Sequence, residues 1–407
     1  MTGAIPGTLL LAPEMIDDPY PLYRRLHAEA PVWEIAGTGL FAVSTYRLVA
    51  EATGRPEDFS SNISCLLYRD DDGLPRRFSY GDAGVQALAT ADPPMHALHR
   101  KTVFPELIAK RMAELEPMVL DLANRCVTRA LQAETVEFMA EIGNIVPISM
   151  ISQLIGFHDS DPDLLLGAAA DSVAMLGSTL SFDELMERIA RTGEIQSWIA
   201  DQLSTAVNEP GDNLLGAVAR GILKGVFDET EANVILHTLL SAGGESTTSL
   251  LGSAVHLLAQ HQDLQQHLRQ NLEQVPAFIE ETLRLESPFR YLMRSVPNDT
   301  TLRATDIPAD STVLLLWAAA NRDPNQFERP DDVDLARRAP RGHIAFGRGI
   351  HHCVGAPLAR IEARGVLTVL LQRTTNITLE PERPAKWMNS LLVRRLEQLP
   401  VRLAAHH

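Results

Sequence analysis

The chain of 407 residues lacks several features that whole classes of protein require. It has only three cysteines, which is too few for a disulfide scaffold and indicates a reducing compartment. Its longest strongly apolar run, residues 313–320, is far shorter than the ~20 residues of a membrane-spanning helix. Basic residues are scarce, since 36 Lys and Arg stand against 52 Asp and Glu, a net charge of −16. Because an acidic surface repels phosphate groups, we expect neither nucleic acid nor an anionic membrane as a partner.

The sequence also lacks repeats, low-complexity linkers and a targeting segment. Residues 9–12 are too short for a signal-peptide core and follow no basic residue. With 45% hydrophobic and 22% charged residues, the composition is that of a globular protein with a large core. We therefore expect one domain over residues 1–407, located in the cytoplasm, without a stable membrane anchor and monomeric.

Apolar residues at helical spacing predict a mainly α-helical protein. The strongest pattern covers residues 230–261, which contain no proline, and Asp228 and Glu231 before it have the spacing of a capping box. At about 1.5 Å per residue this helix would be roughly 45 Å long, enough to cross the molecule. A second strong helix is expected at residues 357–373.

A smaller β-rich part is expected beside the helices. Val32–Ile35 and Leu40–Val43 flank a glycine turn and predict a hairpin. Residues 296–309 alternate turn signals with short β-prone runs. Residues 62–91 are polar, contain glycine and have weak periodicity, so we expect them to be mostly loop.

One segment, residues 346–356, combines glycine turns, histidines and a cysteine just before a helix with Pro357 in its first turn. There the helix dipole and free backbone N–H groups favour the thiolate of Cys353. A thiolate in a glycine loop suits a soft axial bond to a metal, as in haem-thiolate oxygenases. The alternative is an inert buried cysteine, which is the expectation for Cys65 and Cys126.

The cysteine segment resembles the haem-binding signature of cytochromes P450, F-x-x-G-x-H-x-C-x-G. Its fixed positions are filled by Phe346, Gly349, His351, Cys353 and Gly355. The resemblance extends over nearly the whole chain and is strongest to soluble actinobacterial, mycobacterial-like members. It implies the mainly α P450 fold with a small β-rich subdomain. It also implies a b-type haem, with Cys353 as the ligand of its iron and Phe346 as a further cofactor-binding residue.

Two further motifs match the family. Glu281 and Arg284 match E-x-x-R, lie three apart on one helix face and can pair; Arg337 is the expected third member. His96 and Arg100 match H-x-x-x-R. The resemblance implies that the haem propionates are bound by four side chains, His96, Arg100, Arg294 and His351, and Arg offers bidentate recognition of carboxylates.

Residues 242–247 of the long helix are similar to the family's A-G-x-[DE]-T. The resemblance implies Glu245 as the acid and Ser246 as the alcohol that relay protons during oxygen chemistry. Serine stands where threonine is usual, so Thr247 remains an alternative source of the hydroxyl. Gly243-Gly244 lowers helix propensity by roughly 2 kcal/mol, which we interpret as a helix that loosens there to admit O₂ and water.

The resemblance also implies partners. Without a fused reductase, electrons are expected from a ferredoxin and its NAD(P)H-dependent reductase, steered to a positive face near the cysteine. That face would contain Arg100, Lys101, Lys110, Arg111, Arg341, Arg348, Arg360 and Arg364. The expected pocket walls are mostly apolar and predict a lipophilic substrate such as a branched lipid, a terpenoid or a steroid. They consist of Phe289, Tyr291, Leu292, Met293, Leu240, Ala242, Trp387, Met388, Leu391 and Leu392.

Two alternatives remain at this point. The first is a haem-thiolate enzyme with peroxide-driven or rearrangement chemistry, although a peroxide-driven enzyme has no need for Glu245 and Ser246. The second is a non-catalytic lipid-, haem- or metal-binding protein that uses His351, His352 and Cys353 as a metal cluster. Three adjacent residues cannot easily surround one tetrahedral ion, and a fourth ligand at known spacing is missing.

Overall fold

A computed structural model describes residues 5–79 and 84–406, and helices dominate it, as predicted. The helices are Pro13–Asp17 (α1), Tyr20–Glu29 (α2), Tyr46–Thr53 (α3), Met95–Val103 (α4), Ala109–Ala113 (α5), Glu116–Ala130 (α6), Ile145–Ile155 (α7), Pro162–Leu176 (α8), Phe182–Asn208 (α9), Leu214–Leu223 (α10), Glu229–Gln260 (α11), Gln262–Gln270 (α12), Val275–Leu285 (α13), Trp317–Ala320 (α14) and Ala356–Arg373 (α15).

The strands are short and form several small sheets. They are Val32–Ile35 (β1), Leu40–Val43 (β2), Cys65–Arg69 (β3), Pro75–Ser79 (β4), Val136–Glu137 (β5), Leu292–Ser295 (β6), Thr300–Leu302 (β7), Thr305–Ile307 (β8), Thr312–Leu315 (β9), Thr374–Leu379 (β10), Lys386–Trp387 (β11), Leu396–Gln398 (β12) and Pro400–Ala405 (β13). The largest described sheet has the order β1-β2-β9-β6, in which β2 and β9 are parallel. The predicted β1–β2 hairpin is confirmed.

The long central helix α11 joins two parts of the hydrophobic core. Ile235 and Leu236 in its first half belong to one buried cluster, whereas Leu250 and Leu251 in its second half belong to another. The helix begins with the predicted capping box, in which the Asp228 carboxylate accepts the backbone N–H of Glu231 at 2.7 Å. It can therefore hold side chains of both clusters at fixed positions relative to one another.

The prediction that residues 62–91 are mostly loop is wrong in part. β3 and β4 pair antiparallel between Cys65 and Ser79. Cys65 and Leu67 of β3 are buried while Leu66 and Tyr68 are half-buried, so the alternation covers only a few residues and is too short to detect in the sequence. Residues 80–83 of this stretch lie outside the described residues.

A buried ion network holds α13 to the segment that follows β9. Arg284 donates two hydrogen bonds to the Glu281 carboxylate, at 2.8 and 2.9 Å, and also donates to three backbone carbonyls. Arg337 donates to the same carboxylate at 2.9 and 3.2 Å. The structure thus brings together the three residues that the sequence predicted as a network.

Arg284→Met should lower the free energy of unfolding by about 3–5 kcal/mol, because loss of one partner leaves buried polar groups uncompensated. Urea unfolding followed by circular dichroism measures the change. Arg329→Met is the matched control, since Arg329 pairs with Asp334 at the surface, where its side chain is 62% exposed. Equal losses for the two variants would contradict a structural role for the network.

Candidate active site around Cys353

The loop that carries Cys353 is fixed mainly by its own backbone. Gly347 and Gly349 have φ of +69° and +73°, which glycine adopts without strain. A Cβ on Gly347 would lie 3.1 Å from the Trp317 ring, and one on Gly349 would lie 3.1 Å from the Thr53 carbonyl oxygen. The Cys353 N–H then closes the loop by donating to a carbonyl seven residues earlier, that of Phe346, at 2.9 Å.

The Cys353 thiol lies at the start of α15 and accepts hydrogen bonds from the backbone N–H groups of Gly355 and Ala356. These N–H groups favour the thiolate, as predicted for this position, but they do not decide the net shift in the pKa of the free thiol. Desolvation by the surrounding protein raises the pKa of the thiol, although water still reaches the side chain, and the N–H groups and two arginines only partly counteract it. Deprotonation is therefore expected to accompany metal binding, because a coordinating thiol loses its proton.

Arg100 connects α4 to the cysteine loop. Its guanidinium donates to the carbonyl oxygens of Ile350 and His352, each at 3.0 Å. One turn earlier on α4, the buried His96 places its ring 4.1 Å from the ring of His351, centre to centre. The i,i+4 pair predicted from the sequence therefore meets the cysteine loop along one face of α4.

Arg294 on β6 joins the same group of cations. It is buried, and among the described residues its side chain donates only to the carbonyl of Met293, at 2.7 Å. Burial lowers its pKa to about 10, and the Asp92 carboxylate partly counteracts this. Burial and then the positive neighbours lower the pKa of His351 to about 3; those neighbours are His96, Arg294 and Arg100.

This group fits the two propionates of a haem. His351 Nε2 is buried and finds no hydrogen-bond partner within the part of the chain that the structure describes. Arg294 likewise makes no ion pair there, so two buried donors are left for an anionic group. A dicarboxylate would satisfy both, and the Cys353 sulfur next to them is a ligand that iron accepts.

Phe346 contacts Arg360, which the sequence placed only on the expected positive face, and Arg360 in turn pairs with Glu280. The Arg360 guanidinium lies 4.6 Å from the centre of the Phe346 ring and pairs with Glu280 at 2.6 Å. Burial opposes ionisation of Glu280, but hydrogen bonds from Arg360 and His343 hold its pKa at about 2. Glu280 precedes the E-x-x-R pair directly, and this adjacency was the one available signal in the sequence.

A strip of α11 is half-buried, whereas most of the middle of this helix is fully buried. The strip consists of Leu239, Ala242, Gly243 and Ser246, which are spaced three and four apart and so share one face. Ser246 Oγ donates to the Ala242 carbonyl at 2.6 Å. Thr247 is buried beside the strip, so the more accessible of the two hydroxyl groups is that of Ser246.

Glu245 points to a partner that the sequence did not predict. Its carboxylate lies 3.0 Å from the Arg395 guanidinium, and both side chains are buried. Burial raises the pKa of Glu245, and Arg395 partly counteracts this. The structure therefore does not join Glu245 and Ser246 by a hydrogen bond, although the two residues are adjacent in sequence.

The expectation that Gly243 and Gly244 loosen the helix is wrong. α11 is continuous from Glu229 to Gln260. A Cβ at Gly243 would lie 2.8 Å from the Ile151 side chain, and one at Gly244 would lie 3.1 Å from Ile148. Both isoleucines belong to α7, so the glycines permit α7 and α11 to pack closely.

The chain is similar to known proteins over nearly its whole length. A family model described as Cytochrome P450 matches residues 212–398. Cytochrome P450 144 of Mycobacterium tuberculosis is 43% identical over 401 residues, covering 98% of this chain and 92% of the relative. Putative cytochrome P450 123 of the same species is 33% identical and covers 96% and 95%.

Solved structures agree with these relatives. CYP109Q5 from Chondromyces apiculatus superposes with a TM-score of 0.84 at 30% identity, covering 98% of both chains. CYP109E1 from Bacillus megaterium, solved in complex with testosterone, gives 0.85 at 26% identity and covers 96% of this chain and 99% of that one. These structures share the fold of this chain over nearly its whole length.

The chain belongs to the cytochrome P450 family, which confirms the predicted fold, and it is a monooxygenase with haem b as its cofactor. Among the residues that the structure describes, no helix combines the length and apolar character needed to span a membrane. Within the same ranges, no three His, Cys, Asp or Glu side chains cluster so as to hold a metal ion, as the non-catalytic metal-binding alternative requires.

Cys353→Ala should abolish the absorption near 450 nm that reduced, CO-treated P450 proteins show, because the axial sulfur is lost. The ferrous–CO spectrum of the purified variant measures this. Cys126→Ala is the control, since Cys126 is buried in the core and should leave the band unchanged. A persistent 450 nm band in Cys353→Ala would contradict the assignment of the ligand.

Arg294→Leu, which removes a buried cation, should accelerate haem loss by at least about 100-fold, and Arg100→Leu, which removes a half-buried one, should accelerate it by a smaller factor. A missing partner of a buried charge costs about 3–5 kcal/mol, and 1.4 kcal/mol is a factor of ten. The measurement is the rate of haem transfer to an excess of an apo-haem scavenger. Arg24→Leu is the control, because Arg24 is a surface residue 3.6 Å from Asp331; equal rates in all three would refute propionate binding.

Proposed function

We propose that this P450 inserts one oxygen atom of O₂ into a lipophilic small molecule, with electrons from a ferredoxin and its NAD(P)H-dependent reductase. The observation that carries the proposal is the half-buried strip of α11, which is apolar except for the Ser246 hydroxyl. Haem, when bound at Cys353, supplies the activation of O₂. The chain's own residues orient the substrate, exclude water and deliver protons.

The apolar surroundings support a lipophilic substrate. Phe289, Leu292 and Met388 are half-buried and pack on the cluster that includes Leu391 and Leu392. Five residues expected in the pocket wall are instead buried in the core, namely Leu240, Tyr291, Met293, Leu391 and Leu392. Testosterone bound to the Bacillus megaterium relative supports a steroid or a molecule of similar shape and polarity.

The surface around the cysteine loop supports docking of a ferredoxin. Several of the basic residues expected there are neutralised within the chain, since Arg111, Arg360 and Arg364 form ion pairs with acidic residues. Lys101 remains exposed, and the exposed apolar side chains beside it are Leu98, Phe104 and Ile350. An apolar centre with a cationic rim suits a small acidic protein.

The proton delivery that we propose uses Ser246 as the hydroxyl and Glu245 as the acid. The raised pKa of Glu245 supports the role of a proton carrier, since a carboxyl whose pKa lies nearer to the working pH can both take up a proton and pass it on. Arg395 anchors this carboxyl in the resting arrangement. Movement of the carboxyl away from Arg395 would bring the proton towards Ser246.

Reconstitution with a ferredoxin, its reductase, NADPH and ¹⁸O₂ tests the function. A panel of steroids, terpenoids and branched fatty acids is first screened for a change in the haem spectrum, and bound compounds are then incubated and analysed by mass spectrometry. We expect a product with one ¹⁸O atom that requires the ferredoxin. A product formed only with hydrogen peroxide would favour the peroxide-driven alternative.

Ser246→Ala should uncouple the reaction, with less product per NADPH and more hydrogen peroxide, while the ferrous–CO spectrum stays unchanged. A positioned proton donor contributes about 10²–10⁴ in rate, so the fall in product should be large. Product, NADPH and peroxide are measured together. Thr247→Ala is the matched control one position along; uncoupling confined to that variant would reassign the hydroxyl.

A further inference from the structure

A fully buried histidine on α4 makes contacts outside the site described so far. His99 is 0% exposed. Its Nδ1 accepts a hydrogen bond at 3.2 Å from the backbone N–H of Leu88, in the short helical turn Leu88–Thr90 before α4. Because a backbone N–H can only donate, Nδ1 carries no proton, and the neutral imidazole holds its proton on Nε2.

The other side of the His99 ring faces the beginning of the central helix. Nε2 is buried and has no hydrogen-bond partner among residues 5–79 and 84–406, but Glu231 Oε1 lies 4.0 Å away. The other oxygen of Glu231 accepts the backbone N–H of Asp228 at 2.9 Å, within the capping box of α11. The imidazole therefore lies between the loop before α4 and the capped start of α11.

The loop that His99 contacts needs support. Leu88 has φ of +44°, a left-handed conformation that a residue other than glycine keeps only when its surroundings hold it. Thr90 Oγ1 accepts the N–H of Ala87 at 3.1 Å and donates to the carbonyl of Val85 at 3.0 Å. The hydrogen bond from Leu88 to His99 is a polar contact that fastens this folded turn to α4, beside the apolar packing of Leu88 and Val103 in one buried cluster.

We propose that His99 is a positioning residue for the substrate pocket. Its ring fixes residues 85–90 through the hydrogen bond from Leu88 and holds them against the start of α11 at Glu231. The inference rests on the proposed function, because the half-buried Val85 of this loop packs on the same apolar cluster as Leu239 of the α11 strip. His99 does not touch the substrate in this arrangement. It acts through the backbone of the loop.

The arrangement depends on the protonation state of His99. If Nδ1 were protonated, it could no longer accept the hydrogen bond from the Leu88 N–H, because both groups would then be donors. The cationic ring would instead be attracted to the Glu231 carboxylate. Burial lowers the pKa of His99, and Glu231 partly counteracts this. His96, one turn earlier on α4, is a further titratable neighbour, and the Phe227 ring covers another side at 5.1 Å.

The direction of the pH effect follows from these contacts. The folded protein disfavours the cation, so the Leu88 hydrogen bond is complete at neutral pH. The contribution of this hydrogen bond to the stability of the loop begins to fall once the pH drops below about 6.5, the ordinary pKa of histidine. It is lost completely as the pH falls through the lower pKa of the buried ring. The loop should therefore be ordered at pH 7.5 and loosened in acid.

Hydrogen exchange of peptides covering residues 85–90 tests the proposal on the resting holoenzyme at pH 7.5 and 5.5, corrected for intrinsic exchange. In the wild type, protection should fall roughly tenfold at the lower pH. His99→Asn places an amide oxygen where Nδ1 lies and cannot be protonated, so protection should persist at both pH values. His99→Leu removes the acceptor and should lack this protection at both.

A binding measurement links the loop to the pocket. At pH 7.5, the affinity for 4-phenylimidazole, a lipophilic probe whose nitrogen binds haem iron, should be about three- to tenfold weaker in His99→Leu than in His99→Asn. His267→Asn is the control, because His267 is an exposed histidine on α12 that contacts Gln274 rather than the loop or the expected pocket wall. It should match the wild type in both measurements.

The outcomes separate this inference from the proposed function. Hydrogen exchange needs no turnover, so it reports on His99 whether or not the protein oxidises a lipophilic substrate. Equal protection in the wild type at both pH values would overturn the proposal, as would loss of protection in His99→Asn. Unchanged probe affinity in His99→Leu would overturn the link to the pocket, even if the loop were loosened.

Discussion

The loop of residues 346–353 is held by hydrogen bonds from three directions, and the position of the other site residues follows from it. The Cys353 N–H closes the loop by donating to the Phe346 carbonyl. At the start of α15, the N–H groups of Gly355 and Ala356 donate to the sulfur, and from α4 the Arg100 side chain donates to the Ile350 carbonyl. Because Arg100 binds the carbonyls of Ile350 and His352, α4 cannot move without the loop. The rings of His96 and His351 are brought together by the same contact.

The charge distribution explains why a chain with net charge −16 can bind an anionic cofactor. The excess of acid lies largely on the surface, whereas the interior near Cys353 holds cations and neutral histidines. Isolated buried cations are costly, so they are stable only if a partner arrives. Arg294 lacks such a partner within the described chain, and the buried Nε2 of the neutral His351 lacks a hydrogen-bond partner there, which makes cofactor binding part of the stability of the holoprotein.

Local patterns in the sequence predicted the parts of the structure that depend on neighbouring residues. The capping box of α11, the β1–β2 hairpin and the start of α15 were all predicted to within a residue or two. Contacts between distant segments were predicted only where family motifs mark both partners, as for Glu281 and Arg337, because no local signal marks the others. Arg395 and Glu245 lie far apart in sequence, and Ile151 decides the role of Gly243 from another helix.

The same limit applied to charge and conformation at single residues. The helix dipole at Cys353 was a sound local argument, but desolvation depends on the whole surrounding fold and outweighs it. The buried His99 gave no local signal either, since a histidine within α4 looks like any polar residue of an amphipathic helix. Only the folded chain shows that its two nitrogens face different elements.

The resting contacts of Ser246 and Glu245 constrain how protons could move in the proposed reaction. A hydroxyl has one hydrogen, and that of Ser246 is already donated to Ala242 at 2.6 Å. Ser246 can therefore accept a hydrogen bond at once, but it must turn away from Ala242 before it can donate one. Glu245 must likewise leave Arg395. Both groups are thus held apart until something in the pocket displaces them, and a bound substrate that excludes water is the change that would make the exchange of partners favourable.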